Sequence, residues 1–257
     1  MKIAIIGAGN MGGAIACGLA QGTIIQAKDI VIADPSKEKL NELQTKYPDL
    51  SVTTDNKQAA KGAHIVIIAV KPWLIEPVIR TMDLDAEDQL IVSIAAGISL
   101  EQLTQYIGNE ATVFRVVPNT AISELTSMTL IASRNANKEQ EELLLSLFNE
   151  MGLAMLIPES QIAATTALTS CGIAYVFKYI QAAMQAGIEM GLYPKDAMKM
   201  VAQSVKGAAE IILNNDTHPS VEIDKVTTPG GITIKGVNEL DHAGYTSAII
   251  RAMKASK

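Results

Sequence analysis

The stretch that most constrains this chain lies near its start, where an apolar run ends in a glycine-rich turn. Ile3–Ile6 leads into Gly7-Ala8-Gly9-Asn10-Met11-Gly12, which has the spacing G-x-G-x-x-G, and helix-forming residues 14–20 follow. In such a strand–turn–helix, the first glycine permits the turn, the second lets a pyrophosphate approach the backbone, and the third lets the helix pack closely. The free N–H groups of the helix N-terminus then face the phosphates. We therefore predict that this turn binds a dinucleotide.

An acidic residue follows the second predicted strand. Residues 29–33 (DIVIA) form that strand, and Asp34 comes directly after it, at about the twenty-residue spacing from the glycine motif where such folds bind the adenosine ribose hydroxyls. A negative charge there disfavours the 2′-phosphate of NADP, although Ser36 and Lys37 could offset it, so NADH is slightly favoured. The alternative is that Asp34 only caps the following helix.

Strand and helix patterns alternate through residue 157. Near-continuous apolar runs at 64–70, 90–94 and 112–117 are typical of parallel strands covered on both faces, and 128–132 and 153–157 are further candidate strands. Residues 99–102 (SLEQ) have the pattern of a capping box, and 139–151 form an amphipathic helix. We predict an α/β domain over 1–157, built on a doubly wound parallel sheet.

The pattern changes after residue 157. Apolar residues recur every three or four positions in 173–188 and again in 201–212, and strand patterns are absent there. We predict an all-helical domain over 158–257. Helices with this much apolar surface suit a dimer interface.

Composition limits the possible partners. The formal net charge of −6 argues against nucleic acid or an anionic membrane as a partner. The two cysteines, Cys17 and Cys171, form no CxxC pair, so we expect neither a disulfide framework nor a metal site, and a reducing compartment fits. No apolar run approaches the roughly 18 residues of a membrane span, and the N-terminus lacks the features of a signal peptide. We expect a soluble, cytoplasmic protein.

Six short stretches, in order along nearly the whole chain, resemble the pyrroline-5-carboxylate reductase family. They are Gly7-Ala8-Gly9-Asn10-Met11, Ala69-Val70-Lys71-Pro72, Ser93-Ile94-Ala95-Ala96-Gly97, Pro118-Asn119-Thr120, Ala174-Tyr175-Val176-Phe177 and Thr228-Pro229-Gly230-Gly231-Ile232-Thr233-Ile234. The last stretch is the most specific, because such a turn is not general to dinucleotide-binding folds.

The resemblance implies a Rossmann domain joined to a helical dimerisation domain, often in rings of dimers, with the active site formed against helices of the partner subunit. The implied reaction is hydride transfer from NADH or NADPH to the C=N carbon of 1-pyrroline-5-carboxylate, giving L-proline in the last step of proline biosynthesis. Besides the glycine turn, including Gly12, the implied cofactor residues are Asp34, Ser36, Asn56, Ala69, Val70, Lys71, Pro72, Ala95, Ala96 and Gly97.

The resemblance also implies the substrate site. The backbone near Ile232 and Thr233 should receive the substrate carboxylate, and the Thr233 hydroxyl should form a hydrogen bond with the ring nitrogen. The expected catalytic residues are Thr233 and, on the nicotinamide side, Lys71. The other implied substrate residues are Asn119, Cys171, Gly172, Thr228, Gly230 and Gly231. A protonated imine is already electrophilic, so the reaction requires placement more than a strong acid, which is consistent with motifs that contain no histidine.

One departure from the family pattern keeps alternatives open. Residues 169–175 are TSCGIAY, where the family usually has SGSGPAY, and the bulkier Ile173 could reshape the substrate pocket. One alternative is a β-hydroxyacid dehydrogenase-like enzyme that uses Lys178 as its acid/base. Another is a sensor that binds NAD(P) without catalysis.

Overall fold

An eight-stranded sheet organises the first part of the chain. The computed structural model describes residues Met1 to Lys257. Its strands are β1 (Ile3–Ile6), β2 (Ile30–Ala33), β3 (Ser51–Thr53), β4 (Ile65–Ile68), β5 (Leu90–Ser93), β6 (Val113–Val117), β7 (Ser127–Arg134) and β8 (Gly152–Leu156). The order across the sheet is β3-β2-β1-β4-β5-β6-β7-β8. All neighbouring strands pair in parallel except β6 and β7.

Helices cover both faces of this sheet. They are α1 (Asn10–Gln21), α2 (Lys37–Lys46), α3 (Asn56–Ala60), α4 (Ile75–Thr81), α5 (Leu100–Ile107), α6 (Lys138–Asn149) and α7 (Ile162–Thr169). One apolar cluster includes Leu19 of α1 and Phe148 of α6, and the other includes Ile79 of α4 and Leu103 of α5. Because both faces are covered, every residue of β1 and β4 is buried, which explains their uninterrupted apolar sequences. The doubly wound α/β prediction is confirmed.

The sheet is mixed at one end, whereas the sequence predicted a parallel sheet. β7 runs antiparallel to β6 because the connection over 118–126 is shorter than the about twelve residues that a parallel crossover needs. β8 returns parallel to β7 after α6. β7 and β8 each start one residue before the candidate strands 128–132 and 153–157. The two strands were therefore predicted correctly, although the direction of β7 was not.

Strand β3 was not anticipated from the sequence. It has only three residues, Ser51–Thr53, none of them fully buried, so it lacks the apolar run that reveals a buried strand. It pairs with β2 and thereby brings α3, which begins at Asn56, to the same edge of the sheet as the end of β2.

The last part of the chain contains only helices, as predicted. They are α8 (Gly172–Glu189), α9 (Pro194–Asn215), α10 (Pro219–Val226), α11 (Ile232–His242) and α12 (Tyr245–Ala255). Only Gly172, Gly187 and Ala197 are buried in this unit. No helix of the chain combines the length and the apolar character needed to span a bilayer.

The break between the two compact units falls between Ser170 and Cys171, later than the division at 157/158 that the sequence suggested. The reason is α7, which contacts β7 and inserts Ile162 into an apolar cluster of the sheet unit. Helical periodicity therefore begins before the sheet unit ends.

Candidate active site

The turn after β1 owes two of its glycines to close packing. Gly7 has φ +109°, and a Cβ there would lie 2.6 Å from the carbonyl oxygen of Ala69. A Cβ on Gly12 would lie 2.0 Å from the carbonyl oxygen of Gly7. Both distances are below any normal contact, so larger residues would displace the turn from the sheet.

Gly9 differs, because a Cβ there would meet no protein atom within 4 Å. Gly9 is the N-cap of α1, no side chain caps this helix, and its first turn carries no acidic residue. The N–H groups at the start of α1 therefore face an open cradle beside Gly9. This arrangement fits the pyrophosphate of a dinucleotide.

Asp34 is buried and links this turn to α2. Its Oδ2 accepts a hydrogen bond from the Ala8 N–H at 2.8 Å, and its Oδ1 accepts one from the Ser36 N–H at 2.9 Å. Lys39 Nζ lies 3.9 Å from Oδ1. The N-cap of α2 is Ser36, whose hydroxyl accepts from the Lys39 N–H, so Asp34 is not the cap of this helix.

The predicted cofactor residues follow the carboxyl ends of adjacent strands. After β1 the chain passes to β2 and β3 on one side, and β4, β5 and β6 lie on the other. The strand order therefore reverses between β1 and β4, where open α/β sheets bind ligands. The structure brings to this edge the glycine turn after β1, Asp34 and Ser36 after β2, Asn56 after β3, Ala69, Val70, Lys71 and Pro72 after β4, and Ala95, Ala96 and Gly97 after β5.

Asn119 follows β6 at the same edge of the sheet, and its side chain makes contacts that stabilise the local fold. Its side chain is buried and its Oδ1 accepts a hydrogen bond from the Ala121 N–H at 3.0 Å, which caps the short 3₁₀ helix Thr120–Glu124. Its backbone N–H donates to the Ser127 hydroxyl at 3.1 Å. The role of Asn119 in substrate binding stays a prediction.

A second glycine turn precedes α11. Gly230 has φ +71°, and the Gly231 N–H donates to the Thr228 carbonyl at 2.9 Å. Gly231 is the N-cap of α11 and no side chain caps the helix. Ile232 is 86% exposed and Thr233 is exposed. The turn therefore presents backbone N–H groups and a hydroxyl on one helix N-terminus, where a carboxylate is stabilised.

The remaining predicted substrate residues lie at the start of α8. Cys171 is half-buried, and Gly172 lines an apolar cavity of about 380 Å³ together with Tyr175, Tyr179 and Tyr245. No residue of the 228–233 turn lines this cavity. The structure of the helical unit thus places Cys171 and Gly172 on a different element from the glycine turn.

Lys178, the acid/base of one alternative, lies on α8 with an exposed side chain. Its Nζ donates to the Gln181 Oε1 at 3.0 Å. This is the usual setting of a solvated helix lysine.

Of the four groups with displaced pKa values, which are Cys17, Tyr47, Lys57 and Glu222, two illustrate the causes. Burial raises the pKa of the Cys17 thiol on α1, with smaller opposing contributions from Lys46 and Tyr47. A hydrogen bond from Lys225 Nζ lowers the pKa of the Glu222 carboxyl on α10. Both shifts have local causes, and neither group belongs to the predicted site.

The sequence did not predict an ion pair between Arg115 of β6 and Glu159. Arg115 lies on β6, and its Nη1 is 3.1 Å from Glu159 Oε1. A single charged residue within the apolar strand VFRVV was the available clue, because an arginine is rarely placed in a buried strand without a partner.

Comparison with known proteins gives the family. Residues 159–257 match the family model for pyrroline-5-carboxylate reductase dimerisation, and residues 2–97 match the model for NADP oxidoreductase, coenzyme F420-dependent. A pyrroline-5-carboxylate reductase of Methanosarcina acetivorans is 34% identical over 262 residues, covering 100% of this chain and 97% of that protein. The chain belongs to the pyrroline-5-carboxylate reductase family.

Other members of the pyrroline-5-carboxylate reductase family agree with this assignment. Pyrroline-5-carboxylate reductase 1 of Dictyostelium discoideum is 35% identical over 99% of this chain, and the chain spans about half of its length (48%). A crystal structure of Plasmodium falciparum pyrroline carboxylate reductase with NADP bound has a TM-score of 0.88 at 27% identity, covering 100% of this chain and 95% of that one. The family resemblance predicted from six short stretches is confirmed.

Proposed function

We propose that this chain reduces 1-pyrroline-5-carboxylate to L-proline with NADH or NADPH, as the last step of proline biosynthesis. The observation that carries the proposal is the full-length likeness to pyrroline-5-carboxylate reductases, with 34% identity over all of this chain in the Methanosarcina protein. The site supports it, because the chain has one helix N-terminus suited to a pyrophosphate and another suited to a carboxylate.

The cofactor-binding role falls to the sheet unit. The N–H groups at the start of α1 bind the pyrophosphate beside Gly9, and Asp34 and Asn56 hold the adenosine half. Val70 and Lys71, with the 95–97 loop, flank the nicotinamide. When bound, the reduced nicotinamide supplies the hydride. This arrangement is supported by the position of these residues, which all follow the carboxyl ends of neighbouring strands.

The substrate-binding role falls to the turn before α11. The backbone N–H groups near Ile232 and Thr233 bind the substrate carboxylate, and the Thr233 hydroxyl bonds the ring nitrogen. Since the imine nitrogen is already protonated, hydride addition to the carbon completes the amine and the protein supplies no further proton. Placement of the ring is then the main contribution of these residues.

A modest preference for NADH over NADPH is part of the proposal. Asp34 would meet the 2′-phosphate with a negative charge, and its Oδ1 has only a distant cation, Lys39 Nζ at 3.9 Å. The crystal structure of the Plasmodium relative has NADP bound, so the assay must compare both cofactors.

We further propose a homodimer in the cytoplasm, with rings of dimers as a larger assembly. Only three residues of the helical unit are buried, and its exposed apolar side chains include Phe177 (59%) and Leu213 (72%). Such a surface is stable in water when a second copy covers it. The two unpaired cysteines are consistent with a reducing compartment.

An absorbance assay tests the proposed reaction. Purified protein is mixed with NADH or NADPH and 1-pyrroline-5-carboxylate, and cofactor oxidation and L-proline formation are measured together. We expect one L-proline for each cofactor oxidised. Tight cofactor binding without imine-dependent oxidation would instead support the non-catalytic sensor.

A further inference from the structure

The loop between β5 and α5 is held at both ends by polar contacts, one buried and the other partly buried. At its start, the Ser93 hydroxyl, fully buried, accepts a hydrogen bond from the Ala95 N–H at 3.3 Å. At its end, the Leu100 N–H donates to Glu159 Oε1 at 2.8 Å. Between them Gly97 has φ +80° with no protein atom near the position of a Cβ.

Glu159 supplies a contact at the start of α5 that the helix's own cap does not. Ser99 and Gln102 make a complete capping box, which pairs the N–H groups of Ser99 and Gln102 but not that of Leu100. Glu159 adds an acceptor for Leu100 from 59 residues further along the chain.

Arg115 fixes the position of this carboxylate. Its Nη1 donates to the same Glu159 Oε1 at 3.1 Å, and the side chains of Arg115 and Glu159 are only 17% and 31% exposed. Arg115 is the direct neighbour of Ser93 across β5 and β6. The ion pair therefore joins the rigid centre of the sheet to the far end of the loop.

Stability alone explains this pair poorly. The Nε of Arg115 is buried without a hydrogen-bond partner, and an unpaired buried donor costs free energy. Buried ion pairs are often no more stabilising than apolar residues of similar size. The pair is therefore better explained by the geometry that it fixes between β6 and the start of α5.

We propose that Arg115 and Glu159 are positioning residues, which hold the 95–97 loop in place to flank the nicotinamide. This rests on the proposed function, because that loop is assigned to the nicotinamide side there. The pair acts through the Leu100 N–H and touches neither cofactor nor substrate. The adenosine half binds at β2 and β3, away from this loop, and is independent of the pair.

The test compares Glu159→Ala, Glu159→Gln and Arg115→Met with the control Glu150→Ala. Glu150 likewise accepts hydrogen bonds from a distant backbone, the N–H groups of Thr23 and Ile24, but at the loop after α1. The measurements are kcat, the dissociation constants of NADH and ADP-ribose, the fluorescence gain of NADH on binding, and the melting temperature.

We expect Glu159→Ala to lower kcat by about tenfold or more and to weaken the binding of NADH. The reason is that a displaced loop no longer aligns the nicotinamide with the substrate. Binding of ADP-ribose should stay within about twofold, since it lacks the nicotinamide. Glu159→Gln retains an oxygen that accepts from the Leu100 N–H and should recover most of kcat. We expect the kcat of Arg115→Met to lie between those of Glu159→Ala and Glu159→Gln. Glu150→Ala should lower only the melting temperature.

A Glu159→Ala variant that loses thermal stability but keeps kcat, NADH affinity and NADH fluorescence would overturn the inference. Equal weakening of the binding of NADH and of ADP-ribose would also overturn it, because the pair would then affect the whole cofactor site rather than its nicotinamide side. If the unchanged protein shows no imine-dependent oxidation, the proposed function fails, while the two binding constants and the fluorescence still decide the role of the pair.

Discussion

At the residue scale, Asp34 combines a charge with a hydrogen-bond acceptor. Asp34→Ser removes the charge and the carboxylate oxygen that reaches Ala8, so we expect the ratio of kcat/KM for NADPH over NADH to rise about tenfold. The buried Ala8 N–H also loses its partner, which should lower the free energy of unfolding by about 1–2 kcal/mol. Cofactor kinetics and urea unfolding measure the two effects.

Asp34→Asn separates these contributions, because it keeps an acceptor oxygen and removes the charge. We expect it to shift the cofactor ratio in the same direction as Asp34→Ser with a smaller loss of stability. An unchanged ratio in both variants would show that Asp34 does not lie near the 2′ position.

Thr233 is exposed at the start of α11, so its removal should leave the fold intact. Thr233→Ala should lower kcat about tenfold through the lost bond to the ring nitrogen, with the NADH dissociation constant within about twofold. Thr233→Ser keeps the hydroxyl and should restore most of the rate. Full activity of Thr233→Ala would remove this residue from the catalytic site.

Lys178 should contribute little to turnover, because its ammonium group is exposed and bonded to Gln181. We expect Lys178→Met to keep kcat within about twofold, as measured with the imine assay. A collapse of kcat with normal cofactor binding would instead favour the hydroxyacid dehydrogenase-like mechanism.

At the element scale, Gly7 and Gly9 of the first turn should respond differently to the same substitution. Gly7→Ala adds a Cβ 2.6 Å from the Ala69 carbonyl at φ +109°, and should cost about 2–4 kcal/mol of stability. Gly9→Ala meets no protein atom, so the melting temperature should barely change while cofactor affinity falls. Calorimetry and cofactor titration separate them, and equal affinity for NADH in Gly9→Ala and the parent would contradict the pyrophosphate site.

Elements with local patterns were predictable from the sequence, and those set by distant contacts were not. The Ser99–Gln102 cap depends on neighbours in the chain, and the β1 turn carries its glycines at a fixed local spacing, so their residues reveal both. β3 depends on pairing with β2, and α7 joins the sheet unit through the burial of Ile162. The contact of Glu159 with Leu100 spans 59 residues, and no spacing rule identifies such a pair.

At the scale of the whole molecule, stability should depend on association. The chain mass is 27.3 kDa, and we expect light scattering to give about twice that mass or a multiple of it. Since the helical unit buries only three residues, the melting temperature should rise with protein concentration. A monomeric mass with a concentration-independent melting temperature would contradict the dimer.

The most direct test of the account is a crystal structure with NADH and L-proline bound together. We predict the pyrophosphate beside Gly9 at the start of α1, the proline carboxylate on the N–H groups near Ile232 and Thr233, and the nicotinamide ring stacked against the proline ring. A structure with the proline carboxylate bound elsewhere, or with the two rings apart in every subunit pairing, would contradict it.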